Sequence, residues 1–250
     1  MNPTEDCALA VEAATLAAEV ASSFLSWSRD ALRVTSKGTP GDVVTRADIA
    51  AEHAVRDLLL ARRAADGILG EEGTTRAGDR RWLVDAIDGT LNFVRGDPFW
   101  CSAVALEDDD GGLAAAVHHP ASGGTFSASR GGGCWLNGQR LTMAAGPALD
   151  HAILATYLDP GDASAAVLQR VVGQAASTRA RGSGTLELAW LAAGRVDLWL
   201  QRDVFAWDWA PGALLVREAG GRAGEKRVGT DRWSYASGTA THDDLLAAIR

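Results

Sequence analysis

Trp82-Leu83-Val84-Asp85-Ala86-Ile87-Asp88-Gly89-Thr90-Leu91-Asn92-Phe93 joins an apolar run of strand type to a turn bearing two carboxylates and then to a helix start. Asp85 and Asp88, three residues apart, can lie on one side of such a turn, and Gly89 lets the backbone come close to an anion. The amides of Gly89 and Thr90, opening a helix through Asn92 and Phe93, suit a phosphate group. Further acidic positions stand at element ends: Glu71 after Ile68-Leu69-Gly70, and Asp208 at the start of an apolar-periodic segment. Strand ends and helix starts are where side chains from distant stretches converge on a cleft. Hard oxygen ligands of this kind, with no cysteine and no suitably spaced histidine beside them, select Mg²⁺ or Mn²⁺ over Zn²⁺.

The flanking patterns predict a mixed α and β chain. Leu9, Leu16, Val20, Phe24 and Leu25 fall at broadly helical spacing behind start signals at Pro3, Thr4, Glu5 and Asp6, which predicts a helix to about Trp27 or Ser28. After the turn-rich Lys37-Gly38-Thr39-Pro40-Gly41, a second helix is expected from Thr45 to Arg63 with Ile49, Val55, Leu58 and Leu59 inward. Short apolar runs at Ile68-Leu69, Trp82 to Val84, Ser102 to Leu106, Leu113 to Val117 and Gly124 to Ala128 predict a sheet of neighbouring strands. Between two of them, Glu107-Asp108-Asp109-Asp110-Gly111-Gly112 reads as a solvated turn. Beyond the turn dipeptide Asn137-Gly138, helices are expected over Ala163 to Ala176, Thr185 to Ala193 and Asp208 to Ala219, with a strand at Val196 to Leu200. This divides the chain into an N-terminal α+β subdomain, residues 1–145, carrying the first acidic motifs, and a C-terminal α/β subdomain, residues 146–250, completing the site.

With 250 residues, 47% of them apolar, the chain can bury a substantial core. Its net charge of -8 repels nucleic acid and anionic membranes, so neither is an expected partner. An acidic protein that handles an anionic substrate overcomes that repulsion locally, and bound divalent cations are the usual means. Cys7, Cys101 and Cys134 are odd in number and contain no CxxC pair, which fits a reducing cytoplasm. No stretch approaches the roughly 20 apolar residues of a membrane span, and the acidic N-terminal segment is unlike a signal peptide.

Gly70-Glu71-Glu72, the segment from Trp82 to Phe93, and Trp207-Asp208-Trp209-Ala210-Pro211-Gly212 resemble, in order and spacing, the signature segments of the inositol monophosphatase family. The likeness runs from about Lys37 to Gly221 and takes in Arg130-Gly131-Gly132-Gly133 and Leu136-Asn137-Gly138. The resemblance implies a layered αβαβα sandwich of the inositol monophosphatase and fructose-1,6-bisphosphatase type, with a homodimer as the assembly. It implies a Mg²⁺-dependent phosphomonoesterase that hydrolyses a small phosphorylated cyclitol or sugar by metal-activated water attack. Two or three Mg²⁺ per site are implied, with Mn²⁺ as a substitute. Glu71, Asp85 and the carbonyl of Ile87 would hold the first metal, and Asp85, Asp88 and Asp208 the second. Glu71 would also serve any third. Thr90 and Asp48 would orient and deprotonate the water, with Lys37 close by. Ser183, Gly89 and Gln201 would join Asp88, Thr90 and Asp208 around the substrate.

The sequence departs from the family pattern at three places. Ala86 replaces the usual proline, which leaves that turn less preorganised by about 0.5 to 1 kcal/mol and predicts weaker metal affinity. Pro211 replaces the usual alanine and is expected in the first turn after an Asp208 cap. Gln201 stands where inositol-processing members carry a substrate-binding glutamate, so histidinol phosphate, fructose bisphosphate and 3′-phosphonucleotides stay open as substrates.

Plainer readings accompany each residue. Asp208 would cap a helix, and Thr45 with Asp48 has capping-box spacing. Glu72 reads as a solvated neighbour of Glu71, and His118-His119, before Pro120, as surface residues of a hairpin. Trp100, Trp207 and Trp209 lie near the motifs and are candidates for a pocket wall, while core packing accounts for most of the nine tryptophans. Two other classes remain: a metal-independent glycosidase using Asp85 and Asp88 as its carboxylate pair, and a non-catalytic sugar-phosphate binding protein.

Overall fold

Alanine decides how the first helix packs. The computed structural model describes residues 3–38, 42–158 and 166–250, and in it α1 (Pro3–Ser22) turns Leu9, Ala10, Ala13, Ala14, Ala17 and Ala21 inward. These small side chains bring the helix backbone close to the sheet, and Val20 and Phe24 only flank them. The helix stops well short of Trp27. Ser23 Oγ donates back to the Val20 carbonyl at 2.6 Å, a local bond that competes with helix continuation, and Leu25 is left 49% exposed.

A one-turn α2 (Arg29–Leu32) and a minimal hairpin of β1 (Thr35–Ser36) and β2 (Val43–Val44) lead to α3 (Arg46–Arg62). The rest of the turn expected at Lys37 to Gly41, residues 39–41, lies outside the described residues. α3 buries Ala47, Ala51, Val55 and Leu59 at a repeat of four, and Asp48 and Glu52 are buried beside them. Ile49, expected inward, is 42% exposed because it falls off that face.

The large sheet contains β3 (Gly67–Gly70), β4 (Thr75–Arg76), β5 (Arg81–Asp88), β6 (Cys101–Asp108), β7 (Gly111–His119), β8 (Gly124–Ser129), β9 (Gly133–Leu136) and β10 (Gln139–Leu141). Its order is β10-β9-β8-β7-β6-β5-β3-β4, so β5 to β10 form the expected run of neighbours. β3 pairs parallel to β5, and the other pairs are antiparallel. The acidic turn between β6 and β7 is tied down: Asp108 pairs with Arg130 at 2.7 Å, and that guanidinium also donates to the carbonyls of Gly111 and Gly112. Short α4 (Thr90–Arg95) follows β5.

The second sheet, ordered β12-β11-β13-β15-β14, contains β11 (Ile153–Thr156), β12 (Ser177–Arg179), β13 (Leu198–Arg202), β14 (Arg222–Val228) and β15 (Asp231–Ser237). Its helices are α5, described over Ala166–Gln174, α6 (Gly184–Ala192), α7 (Ala206–Glu218) and α8 (His242–Ala248). The first residues of the helix expected from Ala163 lie outside the described residues. α1 and α3 cover the outer face of the large sheet, α6 and α7 fill the space between the sheets, and α5 and α8 close the far side. The architecture is a layered αβαβα sandwich.

Three expectations are corrected. α7 starts at Ala206 behind Phe205, so Asp208 is the third residue of the helix and not its cap. Pro211 therefore falls in the second turn, and its missing N–H leaves the Trp207 carbonyl without its usual helical donor. His119 is buried and not a surface residue: its Nε2 lies 3.0 Å from the Pro98 carbonyl and its Nδ1 2.8 Å from Ser122 Oγ, and burial lowers its pKa. At its C-terminal end α7 is fastened to the large sheet, where Glu218 accepts the amides of Gly131 and Gly133, each at 2.9 Å. Among the described residues, no helix is long and apolar enough to cross a membrane.

Candidate active site

The site begins with an interruption in a ladder. Pairing of β5 with β6 shifts register between Asp85 and Asp88, and within this bulge the Ile87 amide donates to Asp85 Oδ1 at 3.0 Å. Ser102 Oγ holds the Ala86 carbonyl at 2.6 Å, stiffening the turn that lacks proline. Gly89 follows at φ +97°, and a Cβ there would lie 3.1 Å from the Gly182 carbonyl oxygen and 3.2 Å from that of Phe99. Only glycine suits both the backbone angle and the close approach.

Asp208 arrives from α7, more than a hundred residues later. Asp85, Asp88 and Asp208 each place a carboxylate oxygen within 4.8 Å of the others. Asp88 is oriented from the opposite half of the chain: its Oδ2 accepts the Ser183 hydroxyl at 2.8 Å and the Thr185 amide at 2.7 Å. Asn92 steadies that loop by donating to the carbonyls of Phe99 and Arg181, both at 2.7 Å. Ser183, expected to line the substrate pocket, is fully buried with its hydroxyl engaged by Asp88. Gln201 lies beside the start of α6, where a Cβ on Gly184 would come within 2.9 Å of its Nε2, and that nitrogen is buried without a partner.

α3 contributes the remaining acid. Asp48 Oδ2 accepts the Thr45 amide at 2.8 Å and the Thr45 hydroxyl at 2.5 Å, while Oδ1 accepts the Thr90 hydroxyl at 2.9 Å. The capping-box reading and the catalytic reading of Asp48 therefore describe two oxygens of one side chain. Thr90 Oγ1 also lies 3.0 Å from the Ile87 carbonyl oxygen.

A family model described as "Inositol monophosphatase family" matches residues 2–249. The chain belongs to the inositol monophosphatase family. It is 39% identical over 227 residues to an inositol-1-monophosphatase of Rhizobium meliloti, covering 88% of this chain and 85% of the relative. It is also 36% identical over 226 residues to Nus factor SuhB of Pseudomonas aeruginosa, covering 85% of this chain and 82% of the relative. Among solved structures, the extragenic suppressor protein suhB of Bartonella henselae superposes with a TM-score of 0.88 at 31% identity, covering 97% of each chain.

The electrostatics of this inositol monophosphatase family site are those of crowded like charges. Burial raises the pKa of Asp85, Asp88 and Asp208 above the ordinary carboxylate value, and the charge of Glu71 raises each further. Lys37 Nζ lies 2.8 Å from Glu71 and 2.7 Å from Glu72. Burial works against its positive charge, but the two carboxylates outweigh that and raise its pKa. Glu72, read as solvated, has a side chain only 7% exposed, and burial pushes its carboxyl up to about 7. Burial likewise pushes Asp48 up to about 6, against the hydrogen bonds from Thr45 and Thr90.

Additional positive charge would relieve the repulsion in such a cluster at neutral pH, and its donors are hard oxygens. The residues present therefore fit Mg²⁺. A pH prediction follows from the raised carboxyl pKa values. Between about pH 4 and pH 7 the folded state holds more protons than the unfolded state, so stability of the metal-free protein falls as pH rises through that window. Differential scanning fluorimetry in EDTA is expected to give a melting temperature higher at pH 5 than at pH 8 by about 5 °C or more. A flat profile, or one rising toward pH 8, would contradict the burial of uncompensated acids.

Proposed function

We propose that the chain is a Mg²⁺-dependent phosphomonoesterase acting on a small phosphorylated cyclitol or sugar. The observation that carries this reading is the convergence of Asp85, Asp88 and Asp208 beside the Asp48–Thr90 pair. Glu71, Asp85 and the Ile87 carbonyl would hold one Mg²⁺, and Asp85, Asp88 and Asp208 a second, with Glu71 serving any third. Bound there, the ions supply positive charge that offsets the phosphoryl oxygens and the departing alkoxide.

The chain's own residues then divide the work. Thr90 donates its hydroxyl proton to Asp48 Oδ1 and so presents an oxygen lone pair to the attacking water. The water proton moves toward Asp48 as the water oxygen bonds to phosphorus and the ester P–O bond breaks; the departing oxygen takes a proton from solvent and Asp48 later returns its own to solvent, so that inorganic phosphate and the alcohol are released. A carboxyl pKa of about 6 suits a base working near neutrality. The backbone at Gly89 and Thr90, opening α4, offers amides to the phosphate. Gln201 meets a hydroxyl of the leaving group with a neutral amide. The name of the R. meliloti relative supports a cyclitol monophosphate. The same reading makes the assembly a homodimer working in the cytoplasm.

The glycosidase alternative has less support. The family match over residues 2–249 and the phosphatase name of the R. meliloti relative favour a phosphate ester over a glycoside. Phosphate release with Mg²⁺, measured across cyclitol, sugar, amino-alcohol and nucleotide monophosphates, is expected to be fastest with a cyclitol or sugar. EDTA is expected to reduce it to background and added Mg²⁺ to restore it. Turnover indifferent to EDTA would defeat the metal-dependent reading, and a preference for nucleotides or amino-alcohols would defeat the substrate assignment.

A further inference from the structure

One buried acid on α3 has no part in the chemistry above. Glu52 stands one turn after Asp48 and is 1% exposed. Its Oε2 accepts the Glu72 amide at 2.7 Å and its Oε1 accepts the Thr74 amide at 2.9 Å. A buried carboxylate is costly unless it is hydrogen-bonded, and two backbone N–H groups supply charge-assisted bonds. The Gly70 amide closes the same turn onto the Thr74 carbonyl at 2.8 Å. Gly70 is also the floor of the arrangement: a Cβ there would sit 2.4 Å from the Glu52 Cδ atom. Glu71 lies between these anchors, and its own amide donates to the Val84 carbonyl at 3.1 Å, beside Asp85.

We propose that Glu52 is a positioning residue for Glu71: its carboxylate grips the Glu72 and Thr74 amides and so holds the Glu71 side chain toward the Asp85 cluster. Because Asp48 and Glu52 share one face of α3, a single rigid helix then sets both the base and the Glu71 arm of the site. The proposal rests on the metal-dependent reading given above. It differs from a purely structural role in one respect: loss of the grip weakens metal binding and not only folding.

Glu52→Gln tests this, since a primary amide has one acceptor oxygen and would turn its NH₂ toward the other backbone N–H. Mn²⁺ binding, followed by titration calorimetry without substrate, is expected to weaken about tenfold or more, with kcat at saturating Mg²⁺ within about threefold of wild type. Glu52→Asp keeps both oxygens and is expected to recover part of the affinity. Should Glu52→Gln fail to fold, Gly70→Ala leaves the acid in place but pushes a methyl group into it, and the same loss of Mn²⁺ affinity is expected. Unchanged Mn²⁺ affinity in the folded variants, with only a lower melting temperature, overturns the proposal. A wild-type protein that takes up no Mn²⁺ overturns the metal-dependent reading itself, a distinguishable result.

Discussion

Asp208→Asn is expected to lower phosphate release by about a thousandfold or more while the metal-free protein melts at the same temperature or higher. The two effects have one origin. Asp208 meets Asp85 and Asp88 within 4.8 Å, and their mutual repulsion adds to the cost of burial. Asparagine keeps the shape and removes the charge, which relieves the folded protein when no cation is present. The same charge is what would hold the second metal. Its loss withdraws several kcal/mol of transition-state stabilisation, and about 4 kcal/mol corresponds to a thousandfold in rate. The backbone contact from the Thr185 hydroxyl to the Asp208 carbonyl, at 2.8 Å, is untouched by the substitution. Phosphate release and thermal melting of the purified variant check both halves. Normal turnover would remove Asp208 from the site. A lower melting temperature with little change in rate would reduce it to an acid in the first turn of α7.

Asp48→Asn is expected to lower kcat by about a hundredfold to ten-thousandfold while leaving Mn²⁺ affinity within a few-fold of wild type. Asp48 touches Thr90, not the cluster of Asp85, Asp88 and Asp208, so its loss removes the proton acceptor and spares the cation ligands. The pH dependence follows from the sign of its shift. A base must be unprotonated to act, so wild-type kcat/KM is expected to fall as pH drops through about 6, and the residual activity of the variant to lack that limb. Thr90→Ser, which keeps the hydroxyl, is expected to retain most activity. A variant with wild-type kcat would place the base elsewhere, and one that lost metal affinity in step with kcat would make Asp48 a ligand.

The local motifs were legible because their geometry is written in adjacent residues. The break at Asp85 to Asp88, expected as a turn and formed as a bulge within β5, the glycine after it and the cap at Thr45 each depend on a few neighbours in sequence. Contacts between distant residues left no such trace. Nothing near Asp208 announces that it meets Asp85: its place at an element end made it one candidate among the acids, and the resemblance to a family supplied the pairing. Elements without apolar runs also escaped: β14, reading Arg222-Ala223-Gly224-Glu225-Lys226-Arg227-Val228, is an edge strand with Arg222, Glu225 and Arg227 exposed. α1 was legible as a helix, but its contact face was not, because periodicity weighted by large side chains overlooks a stripe of alanines. Glu52 did have a readable signal. It sits on the Ala47, Ala51, Val55, Leu59 face, and an acid in an apolar stripe asks for a buried partner.

The clasp between Glu218 and the amides of Gly131 and Gly133 has a mechanical corollary for the reaction centre. Asp208 and Glu218 stand near opposite ends of α7, about 15 Å apart along its axis. Two hydrogen bonds at one tip limit sliding of the helix, so the depth to which its other tip reaches is set in part by a surface turn outside the site. Drift in that glycine-rich turn would act as a vernier on the Asp208 carboxylate, retuning the centre without altering a single group inside it.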